Sequence, residues 1–326
     1  MKAAANPTKP STRKKSDKRG KSTNSRQEGG EGKRPSRLSE GAVSMLASHI
    51  TERDRRIALD CYEHNVLTTD QIRRLYFTNT RIAQVRLQRL YQLRVLERFR
   101  PGPRVGDGSR PYHWILDEAG ALMVADWKGI DRSELRYTRD NGLRIAASRN
   151  LAHHVEANEF FVRMALEAGA LHGELREWYG VRTLTHMLSG AVVPDGYGVL
   201  AIPDAKPRHV LLELDRGTEP LDVLRSKAKR YVEILPQSSL GDLDPAVIFA
   251  TPSERRTRSV RSALASIPAP LSVTTWNHET RRSLLATLGK PEPMPDLGRE
   301  SQTDDDDALS GRRGHTPVRE RATRLG

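Results

Sequence analysis

Three carboxylates in the second half of the chain have the types and spacing that a divalent cation needs. Pro194-Asp195-Gly196 ends or bends one strand-like stretch, and Glu213 and Asp215 stand two apart on the next. Residues two apart in a strand project from the same face. If the two strands are neighbours, Asp195, Glu213 and Asp215 converge, and converging carboxylates repel unless a cation or a basic group compensates. Mg²⁺, used as in phosphodiester hydrolysis, is the expected occupant. Lys227 and Tyr231, four apart on the following helix, face the same place, with Lys227 neutralising charge or stabilising a pentavalent phosphate. The competing arrangement pairs Asp215 with Arg216, Arg225 or Lys227 in a purely structural network.

A second set of residues lies earlier in the chain. On one arc of a helix from Asn79 or Thr80 to about Arg94 stand Arg81, Gln84, Val85, Gln88 and Gln92, with Arg89 grouped among them. Arg and Gln match the hydrogen-bonding edges of guanine and adenine, and Val85 suits a thymine methyl. The same composition also describes an ordinary solvated face. Just beyond, Arg98, Arg100, Arg104 and Arg110 lie on or beside a Gly/Pro turn, where they would meet a phosphate backbone.

These residues need elements to hold them. A first helix is expected over about Asp54 to His64, with Ile57 and Cys61 on its buried face and Asn65 as its stop. Thr68 and Gln71 have capping-box spacing, so a second helix begins there and ends near Phe77. The third helix turns Ile82, Ala83, Leu87, Leu90 and Leu93 to the core. Val95 to Arg100 and Tyr112 to Leu116 alternate as strands around the turn 101–110, giving a hairpin. Three helices and a basic hairpin predict a winged helix-turn-helix. Farther on, a helix from Asn150 to about Ala168 precedes strands near Tyr179 to Leu184, Ala191 to Ile202 and His209 to Asp215. Then follow a helix over Pro220 to Leu235, a strand over Ala246 to Ala250, a basic helix from Glu254 to Ile267 and a strand over Leu271 to Trp276. The order α-β-β-β-α-β-α-β predicts a mixed sheet with helices on its faces.

The 326-residue chain has a formal net charge of +13 and a pI near 10.1, a balance that attracts polyanions. Residues 1–40 carry twelve Lys or Arg against Asp17, Glu28, Glu31 and Glu40, so most of the excess sits in an arm too poor in apolar side chains to fold. The end of the chain, with its Asp304 to Asp307 run, is expected to be disordered too. No apolar stretch is long enough to span a membrane, and no secretory signal is recognisable, so a cytoplasmic protein is expected. Cys61 is the sole cysteine, which excludes an intrachain disulfide and any zinc site built on Cys pairs.

The α-β-β-β-α-β order, Pro194-Asp195 and Glu213 resemble the PD-(D/E)xK nuclease superfamily. That family expects Lys where this chain has Asp215, so the resemblance implies that Lys227 substitutes from the helix. Over about residues 53 to 265 the chain resembles the replication-relaxation family of plasmid and integrative-element proteins. The resemblance is carried by Leu67 to Ile72, Arg86 to Leu90, Tyr112 to Leu116 with Gly120, His154 with Asn158, Pro194-Asp195-Gly196, Glu213 to Glu219, and Lys227 with Tyr231.

The expected fold class is therefore α+β. A disordered basic arm (1–48) leads to a winged helix-turn-helix (49–130), an α/β nuclease-like domain (145–285) and a disordered tail (286–326). The expected function is DNA binding in replication, relaxation or mobilisation of a mobile element. A metal-dependent endonuclease and a winged-helix repressor are the alternatives. Double-stranded DNA is the expected partner, with replication or conjugation proteins, or a second copy of the chain, as further ones.

Overall fold

The computed structural model describes residues 46, 48–101, 110–135, 137–268, 271–276 and 283–288. The basic arm up to residue 45, the turn holding Arg104, and the tail from 289 lie outside the described residues.

In the first unit, Thr51 and Asp54 close a capping box at the start of α1 (Glu52–Glu63), and Ile57, Ala58 and Cys61 face the core. Asn65 adopts φ 64° and stops the chain after the helix, a conformation Asn tolerates better than most residues. After β1 (Leu67–Thr68), Thr68 and Gln71 exchange the two bonds of a second capping box, as their spacing requires, and α2 (Thr69–Tyr76) follows. The Asn79 side chain accepts from the amides of Arg81 and Ile82 and starts α3 (Thr80–Gln92). The strands β2 (Leu96–Phe99) and β3 (His113–Leu116) pair antiparallel, and β1 joins the other edge of β3. A helix that the hydrophobic pattern does not announce, α4 (Glu118–Lys128), closes the unit. It approaches so closely that a Cβ on Gly120 would stand 2.2 Å from the Val95 carbonyl oxygen.

One expected core residue is not in the core. Ala83, Leu87 and Leu90 are fully buried, whereas Ile82 is 55% exposed. At roughly 100° per residue Ile82 sits about 100° round from the centre of that buried arc, on the edge of the outer face.

A short helix, α5 (Arg139–Arg144), packs on β3 of the first unit, with Arg139 paired to Glu97 at 2.8 Å, and the second unit begins with the long α6 (Leu151–Ala170). There follow β4 (Glu174–Tyr179), α7 (Val181–Met187), β5 (Gly196–Ala201), β6 (Arg208–Leu214), α8 (Leu221–Ile234), β7 (Ala246–Thr251), α9 (Glu254–Leu264), β8 (Leu271–Thr275) and α10 (Leu284–Thr287). The strand expected over 179–184 therefore ends at Tyr179, and the next seven-residue element is a helix. The sheet is mixed, in the order β4-β5-β6-β7-β8, antiparallel on the β4 side and parallel on the β8 side. Its central strands β6 and β7 are nearly continuous apolar runs because both faces are covered. Leu211, Val247 and Phe249 pack under α8 and α9, while Leu212 and Ile248 pack under α6 with Phe160 and Phe161. Phe161 lies against Gly196, where a Cβ would come within 2.3 Å of its ring.

The two units are joined by polar bonds along α2 and α6. Gln71 Nε2 donates to the Val155 carbonyl at 2.9 Å, Arg74 pairs with Glu159, and Asn158 Nδ2 donates to the Val66 carbonyl at 2.7 Å. His64 stacks on Trp178 with ring centroids 3.6 Å apart. With α2 held in this way, the outer face of α3 remains exposed at Arg81, Gln84, Val85 and Arg89. Among the described residues no helix is long and apolar enough to cross a membrane.

Candidate nucleic-acid interface

The exposed face of α3 and the β2–β3 hairpin enclose an open groove of about 1040 Å³. Arg81, Gln84, Val85, Gln88, Arg89, Arg98, Arg100 and Arg110 all line it, so of the binding residues expected from sequence only Arg104 falls outside the description. Arg53, Arg86, Ile82 and Tyr112 also line it and were not among those expected. Seven arginines and no carboxylate make up its charged lining.

The arginines differ in what they already touch. Arg86 donates through Nε to Asp54 Oδ1 at 2.8 Å and to the His49 carbonyl, so its charge is spent on a fully buried acid. Burial favours the neutral form of Asp54, but the bonds from Arg86 and Thr51 outweigh it and hold the carboxyl below its ordinary value. Arg98 lies over the rings of Tyr91 at 4.4 Å and Tyr112 at 4.3 Å, and donates to Gln88 Oε1 at 2.7 Å. Arg100 stacks on the same Tyr112 at 3.9 Å. Arg81 and Arg89 have no ion-pair partner among the described residues. Guanidinium groups anchored on aromatic faces, beside others left to solvent, suit a polyanion whose charges run along a line.

The second set of residues gathers in a cleft of about 650 Å³ beyond the end of β6, lined by His153, Asp195, Asp215, Glu219 and Lys227 among others. Asp195 Oδ1 meets His153 Nε2 at 2.7 Å, and Oδ2 accepts from the Leu214 amide at 2.8 Å. The buried Glu213 receives Lys227 Nζ at 3.2 Å on one oxygen and the Tyr231 hydroxyl on the other. Lys227 and Tyr231 thus meet a carboxylate as their spacing implies. Asp215 does not join them: β6 ends at Leu214, and the Asp215 carboxylate binds Arg256 Nε at 2.6 Å and the Gly217 amide at 2.8 Å. Arg216, Arg225 and Lys227, expected as its partners, bind Glu156, the Ala263 carbonyl and the pair Glu213 and Glu219 respectively. Burial and the charge of Asp195 push Glu213 up to about 7, against the pull of Lys227 and Tyr231. Burial opposes the charge on Lys227, yet Glu213 and Glu219 keep its ammonium above the ordinary value.

The model of the replication-relaxation family matches residues 60–240, more than half of the chain. The chain belongs to the replication-relaxation family. No curated protein and no solved structure matches it. The matched region takes in α3, the hairpin, Asp195, Glu213, Lys227 and Tyr231, while Arg256, which holds Asp215, lies beyond it.

The three carboxylates expected to hold Mg²⁺ are not gathered as one set, because Asp215 pairs with Arg256. Both oxygens of Asp195, both of Glu213 and both of Asp215 already accept hydrogen bonds. Among the described residues no group of three His, Cys, Asp or Glu side chains is placed to hold a metal ion. A carboxylate oxygen that accepts one of these bonds keeps a second lone pair, so a cation there would bind beside these donors rather than in their place. Two of them, His153 and Arg256, carry no local sequence signal, because each reaches its acid from about forty residues away.

Proposed function

We propose that this chain is a DNA-binding accessory protein acting in the replication, relaxation or mobilisation of a plasmid or integrative element. In this reading residues 49–130 form a winged helix-turn-helix in which α3 enters the major groove and the hairpin is the wing. Residues 145–285 form a nuclease-like scaffold whose carboxylates serve a hydrogen-bonded network. The observation that carries the reading is the groove between α3 and the hairpin, with seven arginines and no acid in its lining. Membership of the replication-relaxation family supports the biological setting. An endonuclease draws less support, since Asp215, at the position where that chemistry expects a lysine, pairs with Arg256 instead.

Titration of a labelled duplex with the full chain over a series of salt concentrations tests the proposal. Affinity is expected to fall steeply as salt rises, and Arg81→Ala combined with Arg89→Ala and Arg100→Ala should flatten that fall. Salt-independent binding, or none, would overturn it.

A further inference from the structure

Ile82 and Val85 are each 55% exposed, one helical turn apart on the outer face of α3, inside a groove otherwise rich in arginine and glutamine. They are the two most exposed of the large apolar side chains among the described residues. A protein partner offering an apolar knob would have to seat it beside Arg81 and Arg89, which no carboxylate among the described residues offsets. A polyanion satisfies the arginines, and the apolar group that duplex DNA displays in its major groove is the C5 methyl of thymine.

The neighbouring Gln88 narrows the choice. It stands one turn beyond Val85, and its carbonyl oxygen is occupied by Arg98, itself held over the rings of Tyr91 and Tyr112. The bond from Arg98 fixes the amide, and among the described residues no hydrogen bond uses the Gln88 amide hydrogens, which suit an acceptor such as thymine O4. A methyl group beside an acceptor is the thymine edge.

We propose that this groove selects duplexes by the thymine C5 methyl, which Ile82 and Val85 cover, with Gln88 as the adjoining donor. The proposal rests on the DNA-binding reading above. Its test compares duplexes of equal length and charge: alternating dA·dT against the same sequence with deoxyuridine, and alternating dG·dC against the same sequence with 5-methyl-deoxycytidine. The wild-type full chain should bind each methylated duplex more tightly, by about fourfold for each methyl buried. Ile82→Ala combined with Val85→Ala should bind each pair equally while keeping the salt dependence of the wild type. Equal wild-type affinity for the dT and dU duplexes overturns methyl reading and leaves DNA binding standing. Absence of binding to every duplex overturns both. A methyl preference that survives in the double variant, or a wild-type dimer that the double variant dissociates without change in methyl preference, assigns Ile82 and Val85 another role and also overturns the proposal.

Discussion

The charge of the groove gives a quantity that can be measured. Arg81, Arg89 and Arg100 are exposed, and no carboxylate pairs with any of them among the described residues. Each phosphate neutralised by such a side chain adds about 0.9 to the slope of log affinity against log salt. Replacing all three by Ala should therefore lower the slope by roughly 2.7. Between about 50 and 200 mM salt the variant should lose about 40-fold less affinity than the wild type. The comparison is made by fluorescence anisotropy on one labelled duplex, so the charge of residues 1–40 is common to both proteins and cancels. The three side chains lie outside the core, and unfolding midpoints should move little, apart from the stacking of Arg100 on Tyr112, worth about 0.5–1 kcal/mol. An unchanged slope in a folded triple variant would refute the placing of phosphates along this groove.

Three further outcomes follow from the packing. Arg86→Ala strands the buried Asp54 with only Thr51 as donor and should cost about 3 kcal/mol in urea unfolding. In the wild type the lowered pKa of Asp54 contributes stability above the ordinary carboxylate range that is lost on acidification. The penalty of the variant should thus be greater at pH 8 than near pH 4. Glu213 runs the other way: its pKa is raised from 4.5 to about 7, so its contribution is present below 4.5 and lost as pH rises through about 7. Glu213→Gln should reduce the loss of stability between pH 5 and 8, read as a flatter profile of urea midpoint against pH. Gly120→Ala puts a methyl 2.2 Å from the Val95 carbonyl oxygen and 2.7 Å from a Leu116 methyl, and should destabilise by about 3 kcal/mol in the same assay.

What could be read from sequence was local. Thr68 with Gln71 and Asn79 with Arg81 declare their helix starts because the cap and the amides it satisfies lie within three residues. What could not be read was long-range. A strand is expected near Tyr179 to Leu184, but Glu63 reaches back from α1 and accepts from the amides of Gly180 at 2.9 Å and Thr183 at 3.3 Å. A carboxylate at that end favours a helix, and it comes from more than a hundred residues away. The helix α4 is hidden in the hydrophobic pattern for a different reason. Six of its eleven residues are buried, including Gly120, Met123 and Val124, so it lacks the polar face that makes a helical period visible. Likewise the spacing of Glu213 and Asp215 promised a shared face, and the end of β6 one residue short of Asp215 released that side chain to Arg256.

The composition of α3 is itself an argument about its purpose. A helix N-terminus carries partial positive charge and favours acids, yet the first turn of α3 has none and holds Arg81. The rest of its thirteen residues add Arg86 and Arg89 and no acid at all. Among the described residues only Arg86 of these three is compensated, by Asp54 of α1. A helix selected for stability alone would gain from Glu at positions 81 or 82, where arginine and an exposed isoleucine stand instead. The burial of Ala83, Leu87 and Leu90 and the Asn79 cap hold the helix against that local preference. Such local costs gather where another requirement overrides stability. Here they gather on the one face of α3 that the packing of α2 on α6 leaves exposed, and they leave that face ready for charge supplied from outside the chain.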